Sequence, residues 1–134
     1  MSRHTVARLL GALAVGIGGW IHLRLYRRSY HAISPIGPLF AVDVVTAAGI
    51  TTALVLRHDT IVAAVGVLHS IGALSGFVLS RTVGLFGFKE SWLQPSPETS
   101  LTLATETLAV VLLIYGARLT YHTRAIAMRR RTVH

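Results

Sequence analysis

The chain has 134 residues, 52% of them apolar and only 13% charged, with a mean hydropathy of +0.59. That balance excludes a water-soluble domain, which needs more polar surface to wrap its core, and it excludes a disordered chain. No cysteine is present, which removes disulfides, thiolate metal sites and Cys-x-x-Cys redox chemistry. The formal charge is +8, from twelve Arg and one Lys against five acids. The basic residues sit at the ends of apolar stretches and in the tail, a placement that suits anionic lipid headgroups and not nucleic acid.

The first apolar stretch, residues 9–26, follows Arg3 and Arg8. A basic start and a short apolar centre also describe a cleaved leader, but three further spans favour a retained helix. Gly11, Ala14 and Gly18 form a stripe of small residues that His22 continues. A basic loop follows with Arg24, Arg27 and Arg28 at the helix end, where snorkelling is expected, with contact to an anionic headgroup or a quinone-type carbonyl as the alternative. Ser34-Pro35 introduces the second span, 36–56, because proline is tolerated in a first helical turn. This span carries Asp43.

The turn Arg57-His58-Asp59-Thr60 is too short for anything but antiparallel neighbours, and Asp59 or Thr60 can cap the third span, 61–79. That span holds His69 and the small residues Gly66, Gly72 and Gly76. Gly72-x-x-x-Gly76 matches the small-xxx-small pattern by which helices approach in lipid, against span one or a second copy of the chain. Arg81 ends the span as a further headgroup or ligand contact. The stretch from Thr82 to Trp92 is apolar but too short to cross, so it reads as an interfacial or re-entrant segment. Pro95 and Pro97 precede the fourth span, 99–119, which carries Glu106 and runs into the basic tail. The fold expected is thus all-α: a single domain, 1–134, built as a four-helix transmembrane bundle in the plasma membrane. Eight basic residues on one side against five on the other place both termini in the cytoplasm.

Each span therefore carries one ionisable residue: His22, Asp43, His69 and Glu106. A charged side chain at the centre of a membrane helix costs roughly 2.5–3.5 kcal/mol even on permissive insertion scales, so such residues turn inward and pair or function. Helical rise puts all four in the same half of the bilayer, at depths of roughly 6 to 15 Å, which points to one shared polar site. Four readings stand open. The residues can form a structural network, with Asp43 meeting Arg24 and Glu106 meeting His69 or Arg81. They can relay protons or bind a small ligand. They can ligate a metal, with His22, His69, Asp43 and Glu106 as candidate ligands. Or His22 and His69 can be axial ligands of a b-type haem, an arrangement that their difference in depth disfavours.

Arg8-Leu-Leu-Gly11, the ending Gly-Gly-x-x-His22-Leu and the acid of span two ahead of a Gly/Ala/Leu-rich run resemble the DoxX-type small membrane proteins and other four-span actinobacterial membrane proteins. The resemblance implies a four-helix membrane fold, and some DoxX-type proteins are associated with quinone-linked oxidoreductases. The acid of span two there is usually Glu, where this chain has Asp43. With no catalytic motif, the sequence reads as a non-catalytic subunit or accessory protein that acts in a larger membrane complex or as a homo-oligomer. A proton- or ion-coupled transporter and a quinone- or haem-linked redox subunit are the alternatives. The orientation is directly testable: a C-terminal green fluorescent protein fusion is expected to fluoresce, and a C-terminal alkaline phosphatase fusion to stay inactive.

Overall fold

The computed structural model describes residues 1–131. Helix α1 spans Arg3–Arg28, α2 spans Ile36–Leu56, α3 spans Thr60–Arg81 and α4 spans Glu98–Arg131, with one 3-10 turn at Tyr30–Ala32. All four are long and apolar enough to cross a membrane, α4 through its segment Glu98–Thr123. The chain is a small multi-pass membrane protein, with four such helices among the described residues. The expected spans fall inside these helices, but α1 and α4 extend well beyond them. Hydropathy marks only the apolar part of a helix, and polar residues such as Arg3, His4 and Thr5 continue the same hydrogen-bond ladder into the aqueous boundary. The side chains of Arg124, Arg129, Arg130 and Arg131, expected as a basic anchor, lie outside the described residues.

The ends of the helices follow from local chemistry. Ser2 caps α1 by accepting from the Thr5 amide, and Asp59 caps α3 by accepting from the Ile61 amide at 2.9 Å. The side chain of Arg8 closes the other end of α2, donating to the carbonyls of Leu54, Val55 and Arg57. A guanidinium is well suited to the orphan carbonyls of a helix C-terminus, where the helix dipole is negative.

The helices form a ring in chain order, α1 against α2, α2 against α3, α3 against α4 and α4 against α1. Both ends of the described chain lie at one end of the bundle, and the loop before α2 and the long loop before α4 lie at the other, here called the distal end. The stripe of small residues on α1 packs against α4 and α2, and α1 barely meets α3, its diagonal neighbour. The expectation that spans one and three pack face to face is corrected accordingly.

Leu113 of α4 sits at the heart of the core and is 1% exposed. Its two methyl groups fill the space of two absent side chains. A Cβ on Gly11 of α1 would lie 2.6 Å from one, and a Cβ on Gly66 of α3 would lie 2.7 Å from the other. Val15, Ala47, Ile50, Leu54, Ala63 and Ala109 complete this layer. In lipid such close approach, not exclusion from water, is what holds helices together.

Gly72 and Gly76 do not share this role. A Cβ on either meets nothing within 4 Å, so within the chain the Gly72-x-x-x-Gly76 surface packs on no helix. Gly66→Leu is therefore expected to lower the melting temperature in mild detergent, through overpacking worth about 1–3 kcal/mol. Gly72→Leu should leave it unchanged or raise it slightly.

Candidate functional site

The four ionisable residues of the spans converge in the distal half of the bundle. They lie roughly 9 to 18 Å along their helices from the distal ends, at 1.5 Å of rise per residue. Asp43 is the hub. One carboxylate oxygen accepts a hydrogen bond from Nδ1 of His22 on α1, and the other lies 3.5 Å from Nε2 of His69 on α3. The side chains of His22, Asp43 and His69 are 11%, 19% and 9% exposed. Thr46, one turn along α2, places its hydroxyl 3.4 Å from Nδ1 of His69. Phe40 meets the His22 ring edge-on, with centroids 5.2 Å apart.

Glu106 of α4 completes the group. It is fully buried, and among the described residues neither carboxylate oxygen has a hydrogen-bond partner. Gly18 of α1 makes its position possible, because a Cβ at Gly18 would collide with the Glu106 carboxylate. The hydroxyls of Ser70 and Thr102 are buried and unpartnered as well. Orphaned polar atoms in a bundle interior are costly unless a proton, water or ligand satisfies them.

These pairings differ from those the sequence suggested. Asp43 meets the two histidines and not Arg24. Arg24 and Arg28 instead approach Glu98 at the start of α4, at 3.6 and 2.7 Å, with their side chains half exposed or more. Arg27 lies in a shallow groove with Trp20 and Leu23. Arg81, expected as a headgroup or ligand contact, is turned inward, and its side chain is only 7% exposed. It pairs with Glu90 at 2.8 Å, donates to the Gln94 carbonyl at 2.9 Å and stacks over the Phe77 ring at 4.0 Å.

The apolar segment after α3 neither crosses nor re-enters the bundle. It is a tight hairpin in which Leu85 and Phe88 exchange backbone hydrogen bonds. Gly84 and Gly87 take φ values of +89° and +82°, which glycine adopts without a steric cost. Leu85 and Phe88 pack on Ile21, Leu25, Tyr30 and Ile36, capping the distal end. Tyr30 donates to Glu90, so the cap, the loop before α2 and Arg81 form one network. Sequence reasoning missed Tyr30, Glu90 and Glu98 as members of a polar network. The usable signal was scarcity: in a chain with five acids and thirteen strong bases, each acid near a span needs an account.

Between the distal halves of α2 and α3 lies a cleft of about 410 Å³. Asp43 and His22 line its floor, and Arg81, Glu90 and the hairpin line its distal end. The two helices touch least of the neighbouring pairs, and toward the opposite end Gly66 of α3 faces Ile50 and Leu54 of α2.

Among the described residues, no group of three or more His, Asp or Glu side chains is placed to hold one metal ion. The two imidazoles approach opposite oxygens of one carboxylate, so Asp43 stands where a porphyrin joining His22 and His69 would lie. The residues present therefore do not fit a bis-histidine haem. No family model, curated protein or solved structure matches this chain.

The Tyr30 phenol lies outside the spans, and its pKa is raised above the ordinary value of 10.0, first by burial and then by its hydrogen bond to Glu90. The folded protein thus holds this proton more tightly than the unfolded chain does. The resulting stabilisation is complete below pH 10.0 and is lost as the pH rises above it. Tyr30→Phe is expected to lower stability near neutral pH by about 1.5–3 kcal/mol, the range for a hydrogen bond to a charged group. The variant should also lose less stability than the parent between pH 9 and 11, a comparison that thermal melts in detergent can read.

Proposed function

We propose that this small membrane protein is a non-enzymatic accessory component whose interior polar centre exchanges protons. The observation that carries the reading is the Asp43 carboxylate held between His22 and His69, beside a fully buried Glu106 with no hydrogen-bond partner. Imidazoles and carboxyls each take up or release one proton, and in series they form the kind of chain that moves protons through membrane proteins. Ser70 and Thr102 supply hydroxyls that can donate and accept beside Glu106.

In this reading both termini face the cytoplasm and the polar centre lies in the outer half of the plasma membrane. The protein works with the lipid bilayer and as a homo-oligomer or within a larger membrane complex. Membership of the DoxX-type proteins belongs to the same proposal and rests on the motif of span one and on Asp43.

The test is proton flux. Protein in liposomes with a trapped pH-sensitive dye is expected to collapse an imposed pH gradient faster than protein-free liposomes. Asp43→Asn and Glu106→Gln should each slow that collapse about tenfold or more while the helices stay folded by circular dichroism. Unchanged flux in both variants, with only their melting temperatures lowered, would show a purely structural network and sink the reading. Native mass spectrometry after purification in mild detergent checks the expected assembly.

A further inference from the structure

The cleft between α2 and α3 has features that proton exchange does not require. Its α3 wall includes Gly72 and Gly76, and at neither would a Cβ meet any atom within 4 Å. Leu39 and Leu79 line it and are 44% and 43% exposed, so it opens sideways to the hydrocarbon. It is lined by aromatic rings from three directions: Phe40 on α2, Phe77 on α3 and Phe88 in the hairpin. Its ionisable groups are paired, His22 with Asp43 on the floor and Arg81 with Glu90 at the distal end. Thr102 also lines it, only 6% exposed, with a hydroxyl that has no hydrogen-bond partner.

We propose that this cleft binds an uncharged amphiphile drawn from the bilayer: a planar, oxygen-bearing ring carrying a hydrocarbon tail. Each part of the ligand answers an observation. The aromatic walls accept a flat ring by stacked or edge contacts. The unpartnered Thr102 hydroxyl and the His22–Asp43 pair supply hydrogen bonds to an oxygen on that ring. A net-charged headgroup finds no free counter-ion, since Arg81 already meets Glu90 and Asp43 already meets two imidazoles. The lateral opening lets an apolar tail remain among lipid chains. A volume of about 410 Å³ lies within the range of sites for small organic ligands. The proposal does not rest on proton exchange, and either can fail without the other.

The test uses the full chain in phosphatidylcholine nanodiscs with tritiated 4-nonylphenol as the probe, read by scintillation proximity. Binding is expected to saturate at one probe per chain. Nonylbenzene, which lacks the hydroxyl, should compete about tenfold more weakly, the effect of one lost hydrogen bond in a buried site. Gly76→Leu fills the cleft and should abolish saturable binding. Gly49→Leu, also at a glycine with nothing within 4 Å but outside the cleft lining, should leave it unchanged. Thr102→Val should weaken binding several-fold, and it serves as the deciding variant if Gly76→Leu fails to fold. Probe uptake that never saturates, nonylbenzene competing as well as the phenol, or wild-type binding by the deciding variant would overturn the proposal. The first two outcomes would mean that bulk acyl chains fill the cleft.

Discussion

Hydrocarbon cannot solvate an ionisable side chain, and this constraint sets the rotation of every helix in the bundle. Each span carries one such residue, so each must turn that residue toward the common interior. Asp43 makes the demand specific, because its two oxygens face histidines on two different helices. The residues beside the hub then point outward without further instruction: Val42 next to Asp43 and Leu68 next to His69 are 60% and 69% exposed, as a lipid-facing surface requires. Once α1, α2 and α3 are fixed in this way, Gly18 leaves room on α1 for the carboxylate of Glu106, and α4 takes its place.

The bundle has a tight side and a loose side. Helices α1 and α4 approach through Gly11, Gly18 and Gly116, with side chains of one helix set against the bare backbone of the other. Helices α2 and α3 are joined by a short turn at one end and part toward the other, where the hairpin from Gly84 to Phe88 closes the gap. Ion pairs and hydrogen bonds of Arg81 and Glu90 hold that hairpin down. The tight side supplies rigidity, and the polar centre and the cleft both open on the loose side. This division follows the general rule that chemistry is placed on a rigid support where the packing is incomplete.

Much of this was legible in the sequence, for definite reasons. Four apolar runs and the turn at Arg57-His58-Asp59 specify four helices, and the Asp59 cap follows from one residue type at one position. The depths of His22, Asp43, His69 and Glu106 come from counting, since helical rise is constant. Their partners do not, because a partner depends on the order of helices around the ring, and no periodicity records it. The stripe of Gly11, Ala14 and Gly18 announces a smooth surface without saying that α4 covers it. Gly72-x-x-x-Gly76 announces another, and there the smoothness lines a cleft. Arg81 resembled a snorkelling residue because its true partner, Glu90, lies in an irregular segment with no repeating pattern.

Leu113 carries a consequence for how this protein can change. Its two methyl groups occupy the space that side chains at 11 and 66 would need, on helices that hardly touch each other. The three positions thus share a single volume. A descendant that gains bulk at either glycine must shrink the leucine, and one that enlarges the leucine has nowhere to put the excess. Substitutions there are accepted as a set, which makes this trio a fingerprint for tracing distant kin after overall similarity has faded.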